Sequence, residues 1–457
     1  MTDKTASDNE RMTVAGIKQW LRAHKIVEVE CLAADLTGYG RGKFVSADKF
    51  GREDTRLPEA LLMQSVTGTY PDEFDDILGL NDGDMLLRPD LDTVRLVPWA
   101  KQPTAQIIHD CISDDGQLHP LSSRAVLQKV LALYESEGLQ PVVAPEVEFY
   151  LVAQSSNPHD DLQAPTGRTR RKEVMRCSYT TDAISEFAPL VGDMFNYCKT
   201  MALDVDGLID ETGSAQMEIN FRHGSALNLA DQVFSFKRLL RETALQHDVF
   251  ATFMAKPIEG QPGSSMHIHQ SIVDVATGIN IFVDADGVEN PRLRYFIGGM
   301  QTHTNAAMAF YAPNVNSYRR FVREFAAPIN LNWGYDNRTV GIRVPQSSPQ
   351  ASRIENRYAG VDCNPYLALA ASLACGYLGM REQLQPSDPC QNSSYDGEVG
   401  VPRTLADALR LLDDSRALRD ILGDSFVDAY VAVKTIENDE FNRVISVWER
   451  EHLLLNV

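Results

Sequence analysis

A chain of 457 residues is long enough for one large domain and a smaller one, and 44% hydrophobic with 23% charged residues is the composition of a folded protein with a sizeable core, not of a disordered or fibrous one. Its formal charge of -20 at pH 7 argues against nucleic acid and anionic membrane as partners, since both demand a positive surface; it is compatible with a cationic substrate and with solubility alone. Seven cysteines without a close CxxC pair argue against a disulfide scaffold or a thiolate zinc site and fit a reducing compartment, the cytoplasm.

The first twelve residues, MTDKTASDNERM, have no basic stretch followed by an apolar one, so no secretory signal is expected there. No apolar run approaches the roughly eighteen residues of a membrane span. Val14, Ile17, Trp20 and Leu21 recur at helical spacing and predict a short helix from about Thr13. IVEVEC then alternates, with Ile26 and Val27 leading into Val29 and Cys31, a strand pattern. The glycine-rich ADLTGYGRGK, residues 34–43, reads as turn and loop. DTVRLVPWA, residues 92–100, reads as a strand ended by Pro98. Residues 1–105 are expected to form a small α+β unit, and 110–457 a larger domain.

Ser122 or Ser123 caps a predicted helix that runs to Gly138, with Val126, Val130, Leu131 and Tyr134 on its apolar face. VVAPEVEFYLV, residues 142–152, is β-branched and aromatic and reads as a strand. Residues 229–247 are an amphipathic helix, and the apolar 364–381 a core helix. A loop follows Val344 and Pro345, and residues 386–400 have loop composition. A helix starts near Thr404 and a long one runs from about Ser425 toward the C-terminus.

Three clusters carry acids or imidazoles. Glu146 and Glu148 stand at i, i+2 in APEVEFYL and so share one face of a strand. Burying two acids among Val142, Val143, Val147 and Phe149 is costly unless a positive charge meets them, although a solvated strand face has the same pattern. Glu211 and Glu218 lie within IDETGSAQMEINF, where Gly213 is expected to turn the chain between them and Gln216 to share a strand face with Glu218. His267 and His269 are again an i, i+2 pair, in PGSSMHIHQS. Carboxylates with an imidazole make an oxygen-dominated site suited to Mg²⁺ or Mn²⁺; either histidine alone also fits a structural role.

A fourth cluster is basic. Arg320, Arg338, Arg343, Arg353 and Arg357 recur within an acidic protein, and guanidinium forks match carboxylates and phosphates; surface salt bridges are the plainer reading. Glu355 lies between Arg353 and Arg357, and on a strand all three share a face. The Walker pattern and GxGxxG are absent, so a nucleotide would have to be held through metals and arginines.

Taken in order, AADLTG, PEVEF, ETGSAQMEIN, PGSSMHIH, NSYRR, NRTVGIRVP, SRIENR and NPYLALAA resemble the glutamine synthetase superfamily, class I type, over nearly the whole chain. The wording of AQMEINFRHG is similar to its γ-glutamylpolyamine synthetase branch. The resemblance implies a small N-terminal β-grasp-like domain before a catalytic domain with a curved antiparallel sheet and surrounding helices. It implies two or three Mg²⁺ or Mn²⁺ ions, with Glu148, Glu211 and Glu218 around one and Glu146, His267 and Glu355 around the other. Arg338 and Arg357 are expected at the transferring phosphoryl group; Gly263, His267, Arg320 and Arg357 at glutamate; His269, Ser271, Arg343 and Arg353 at ATP.

The resemblance further implies that Asp35 accepts the amine's proton and that Tyr179 lines the acceptor pocket. The flap glutamate of ammonia-using members falls here on Ala326, with Glu324 two residues away, which favours an acceptor larger than ammonia. The expected reaction is ATP-dependent ligation of the γ-carboxylate of L-glutamate to a polyamine or diamine through γ-glutamyl phosphate. The alternatives are glutamine synthesis from ammonia, a ligase for ethanolamine or another monoamine, and a non-catalytic structural or regulatory relative, which the retained set of acids and His267 argues against. A dodecamer of two stacked hexameric rings is implied, in which a neighbour's N-terminal domain closes each site.

Overall fold

The computed structural model describes residues 14–80, 82–157, 159–175, 178–284 and 286–457. Thr13, the N-terminal twelve residues and Cys177, which entered the sequence reading, lie outside the described residues. The fold is mixed α+β, with curved sheets and helices. No helix among the described residues is long and apolar enough to cross a membrane.

The first sheet holds β1 (Glu28–Ala34), β2 (Gly40–Ser46), β3 (Thr55–Pro58), β4 (Asp84–Pro89), β5 (Arg95–Leu96) and β6 (Thr104–Ile112), in the order β2-β1-β6-β4-β3 with β5 on β6. The β1–β6 pair is parallel and the others antiparallel. IVEVEC does form a strand, but Val29–Ala34 are all buried and Glu30 is not spared. In the interior Glu30 is met by both Nη atoms of Arg238.

Two loop assignments change. GRGK is strand, not loop: a Cβ on Gly42 would lie 1.9 Å from the carbonyl oxygen of Cys31, so the glycine lets β2 approach β1. The true turn is Asp35–Tyr39, with Gly38 at φ 88°. DTVRLVPWA is mostly turn, because the Asp90 side chain accepts from Asp92 N at 3.1 Å and winds Leu91–Thr93 into a 3₁₀ segment; only Arg95–Leu96 pair.

The second sheet holds β7 (Leu139–Ala153), β8 (Val205–Asp210), β9 (Gln216–Phe221), β10 (Gly224–Ser225), β11 (Val249–Thr252), β12 (Met266–Asp274), β13 (Trp333–Tyr335), β14 (Ile342–Val344) and β15 (Ile354–Asn356). Its order is β13-β14-β15-β12-β7-β9-β8, with β10 and β11 also on β7. The predicted helices are present at Ser123–Ser136, Ala226–Gln246, Pro365–Glu382 and Leu405–Asp413. Ser122 Oγ caps the first at Ala125 N, and Thr404 caps the last at Asp407 N. Pro365–Gly379 are buried throughout, so that helix is core, as its all-round apolarity predicts. The long C-terminal helix is broken: Asp424–Asn442 ends, and Ser446 with Glu449 forms a capping box that starts Val447–Leu453 afresh.

Buried ion pairs join the first sheet to the helices of the second. Arg124 meets Asp90, Asp110 and Asp231, at 2.9 Å in the last case. Asn364 donates from Nδ2 to the carbonyl of Asp35 at 3.0 Å, pinning the Asp35 turn to the start of the core helix.

Candidate active site

Strand register gathers the chemistry on one face of the second sheet. Glu148 on β7 stands opposite Glu218 on β9, and Glu146 stands opposite His267 on β12. His269 on β12 faces Glu355 on β15, which in turn faces Arg343 on β14. Directly opposed residues in a ladder project to the same side, so this register alone lays a row of acids, imidazoles and a guanidinium across five strands. Ser271 continues the same face of β12 two residues on.

The side chains complete the row. Ligand atoms of Glu146, His267 and Glu355 lie within 4.8 Å of one another, and so do those of Glu148, Glu218 and His267. His269 Nε2 is 2.9 Å from Glu146 Oε1, and His267 Nδ1 is 3.4 Å from Glu146 Oε2. The first trio is the set expected for one ion. The second trio brings His267 to two of the acids expected at the other ion, Glu148 and Glu218, while Glu211, expected with them, acts on both through its charge. Glu211 follows the end of β8 and precedes β9, so no ladder fixes its side chain.

The electrostatics divide the acids into two kinds. Burial pushes the Glu148 carboxyl up to about 8, and the charge of Glu211 adds to that. Burial raises Glu218 as well, with Glu146, Glu148, Glu211 and Glu355 all repelling it. Glu211 is raised by burial and by Asp210, and Arg338 opposes the shift. Burial works against Glu146 too, but hydrogen bonds from His267 and His269 hold its carboxyl well below the usual range. Glu355 overcomes burial through Arg357 and sits at about 2. Burial and Arg357 push His267 down, toward the neutral imidazole that a metal needs.

Crowded carboxylates that resist ionisation are costly without a cation beside them. Four carboxylates and one neutral imidazole, oxygen-dominated, fit a hard divalent cation of the Mg²⁺ or Mn²⁺ type. Two groups that sequence reasoning left without a role hold the acids in place. Gln216 Nε2 donates to Glu148 Oε2 at 3.2 Å and to Gly263 O at 3.0 Å, while its Oε1 accepts from Gly213 N. Ser265 N donates to Glu148 Oε2 at 2.9 Å. The position of Gln216 two residues before Glu218 was the only signal for it. Gly213 itself serves a different need than expected: a Cβ there would lie 2.0 Å from Tyr150 Oη, and the left-handed residue is Ala215, at φ 57°.

The arginines differ in what holds them. Arg343 donates from Nη1 to Glu355 Oε2 at 2.7 Å and also meets Asp336. Arg357 bonds Glu355 and, from Nη2, the carbonyl of Ala326 at 3.3 Å. Arg320 is buried, donating to Ser265 Oγ at 2.9 Å and to the carbonyls of Arg357 and Tyr358. A Cβ on Gly263 would come within 2.5 Å of Arg320 Cγ, so the glycine makes room for that side chain. Nε of Arg320, Arg343 and Arg357 is buried without an acceptor among the described residues, as expected of guanidinium groups that await anionic oxygen. Arg353 Nε reaches His269 Nδ1 at 3.2 Å. Arg338 is exposed and makes no ion pair among the described residues.

Asp35, Tyr179 and Ala326 are the residues expected at the acceptor. Asp35 is fully buried within its own turn, accepting from Thr37 N, Thr37 Oγ1, Tyr39 N and Arg41 Nε. Burial raises its carboxyl, against the pull of Arg41. Tyr179 is exposed, at φ 65°, with its N–H on the carbonyl of Asp210. Ala326, at φ 53°, touches the site through its carbonyl on Arg357.

Residues 120–453 match the family model of the glutamine synthetase catalytic domain. The chain is 33% identical over 448 residues to γ-glutamylputrescine synthetase of Escherichia coli (strain K12), covering 96% of this chain and 94% of that one. It is 32% identical to glutamate–isopropylamine ligase of a Pseudomonas species, covering 97% and 98%, and 31% identical to glutamine synthetase of Pyrococcus horikoshii, covering 91% and 90%. Among solved structures, ligand-free GmaS is 26% identical with a TM-score of 0.81 over 97% of this chain and 99% of that one; a GmaS complex with ADP gives 25% and 0.82 over 96% and 99%.

Proposed function

The chain belongs to the glutamine synthetase family of carbon–nitrogen ligases, and from that membership we propose that it uses ATP to join the γ-carboxylate of glutamate to an organic amine, a diamine or polyamine. The observation that carries this reading is the register-built row Glu218, Glu148, Glu146, His267 and Glu355, which can hold two divalent cations between a carboxylate substrate and a phosphate. Bound there, such cations would neutralise the phosphate oxygens and the attacking carboxylate.

A carboxylate is a poor acyl donor because its leaving group would be oxide. In the first step a γ-carboxylate oxygen of glutamate bonds to the γ-phosphorus of ATP while the bond to the bridging oxygen breaks and ADP leaves. In the second, the lone pair of a neutral amine attacks the acyl carbon and phosphate departs. Arg338, exposed and without a hydrogen bond or ion pair among the described residues, would meet charge that grows on the transferring group, and Arg357, paired with Glu355, would add its guanidinium. Arg320 and the backbone at Gly263 orient the glutamate α-carboxylate; Arg343, Arg353, His269 and Ser271 border ATP.

A primary amine with pKa of about 10.4 must lose a proton before it attacks. We assign that proton to Asp35 of a neighbouring chain. One feature supports this assignment: β2, which follows the Asp35 turn, is an exposed edge strand. A ring assembly would bring the two together and exclude water from the acyl phosphate. Ala326 in place of an acid, with relatives named for putrescine and isopropylamine, favours an amine bulkier than ammonia.

The test is phosphate release with ATP, Mg²⁺ and glutamate against putrescine, cadaverine, spermidine, spermine, ethanolamine, isopropylamine and ammonium. A diamine or polyamine should give the highest kcat/KM. Ammonium giving the highest value would replace this reading by glutamine synthesis.

A further inference from the structure

The row of cation ligands does not end at Glu146. Asn220 stands on β9 two residues after Glu218 and directly opposite Glu146 on β7, which is itself opposite His267 on β12. Asn220 therefore projects from the face that carries those three groups. Its neighbour on the other side is Gly207 of β8, and a Cβ there would meet nothing within 4 Å. Across four strands the row reads Gly207, Asn220, Glu146, His267, and at the glycine it opens into free space.

The amide of Asn220 is unsatisfied. Oδ1 is buried and meets no donor among the described residues, and Nδ2 has no hydrogen-bond partner there either. Buried polar atoms are almost always paired, so an unpaired one on the wall of a site points to a bond made with something that binds there. The neighbours decide what that is. Glu146 has one oxygen 2.9 Å from His269 Nε2 and the other 3.4 Å from His267 Nδ1, and an ionised carboxylate is an acceptor with no donor to offer Oδ1. The donor must come from outside the chain. A hard divalent cation beside Glu146 and His267 would bring one, because such a cation keeps several of its waters. A carboxylate at this position would add charge where four acids already repel Glu218. The amide offers an acceptor without charge, and it adds an N–H donor that no ionised carboxylate has.

We propose that Asn220 is a nucleotide-positioning residue that couples the cation to the phosphates. Its Oδ1 accepts from a water held by the cation at Glu146 and His267, and its Nδ2 donates to a phosphate oxygen of the nucleotide. Gly207, with no side chain, leaves room beside it. The assignment rests on the cation-and-ATP reading of the site and adds to it a neutral group among charged ones.

The test is calorimetric titration of ADP into the full chain saturated with Mn²⁺. Asn220→Leu, close in size and without polar side-chain atoms, should weaken ADP binding about tenfold or more, the scale of losing a hydrogen bond to a charged group. The same variant should leave the melting temperature of the metal-free, nucleotide-free protein unchanged or raised, because it removes a buried amide oxygen that has no partner. Asn220→Asp, an independent variant of the same shape, keeps an acceptor and loses the donor. It should bind Mn²⁺ at least as tightly as the wild type and ADP more weakly. Wild-type affinity for ADP in either folded variant, or a lowered melting temperature with ADP affinity intact, overturns the role of Asn220. Failure of the wild-type protein itself to bind ADP with Mn²⁺ would overturn the reading of the site, and this role with it.

Discussion

The metal end and the acceptor end of the site are built in different ways. At the metal end every side chain but Glu211 sits on a paired strand, and the ladder β9-β7-β12-β15-β14 sets which residues meet. At the proposed acceptor end Tyr179 and Ala326 sit on irregular chain with positive φ, and Asp35 on a turn. Groups that must hold charge to within fractions of an ångström stand on rigid elements, and groups that select a partner stand on connections that accept substitution. The two ends therefore answer to different perturbations.

Removing a ligand from the ladder has the largest expected effect. Glu218→Gln should reduce phosphate release by on the order of a hundredfold or more, the scale of losing one preorganised electrostatic group. Because burial and four neighbouring acids already disfavour the Glu218 charge, the same variant should keep or raise the melting temperature of the metal-free protein. A stability loss with full activity would assign Glu218 to structure alone.

Metal removal sharpens the contrast through pH. The Glu148 carboxyl, raised to about 8 when folded, keeps a proton that the unfolded chain has lost above about pH 4.3. The unfolded state then binds fewer protons, so stability of the metal-free protein falls as pH rises from about 4.3 to about 8, by ~1.4 kcal/mol per pH unit for each such group. Chelated protein should melt at a lower temperature at pH 8 than at pH 6, and added Mn²⁺ should flatten the dependence. A chelated protein indifferent to pH in this window would show the acids to be well solvated.

The acceptor end should yield smaller, selective changes. Ala326→Glu is expected to lower kcat/KM for the best polyamine by about tenfold, on the scale of changed pocket contacts, and to leave ATP affinity unchanged. Equal efficiency in both proteins would remove this position from the acceptor pocket. Least of all, Ala326→Gly should relieve a left-handed alanine at φ 53°, a gain of about 0.5–1 kcal/mol offset by glycine's added entropy in the unfolded chain, seen as a melting-temperature change of a degree or two at most.

The same division decides what could be read from sequence. The i, i+2 pairs Glu146/Glu148 and His267/His269 are local, and strand periodicity placed each on one face. The opposition of His269 to Glu355 links positions far apart in the chain, and nothing local in the sequence marks that register. Several elements escaped because burial erased their period. β6 is buried at all but one position, so TAQIIHDCI shows no alternation. The helix Pro291–Tyr311 carries Gly298 and Gly299 at its centre and was not recognised. The Asp35 turn was found, but its closure by Thr37, Tyr39 and Arg41 depends on side-chain hydrogen bonds that composition does not encode.

Calorimetric titration of Mn²⁺ into metal-free protein, repeated in two buffers of different ionisation enthalpy, tests the ladder-built site most directly. Two or more ions per chain should bind with release of protons from the raised carboxyls, and Glu148→Gln should lose one of those ions. Absence of specific Mn²⁺ binding, or binding without proton release and unaffected by Glu148→Gln, would contradict the assignment of these acids to metal.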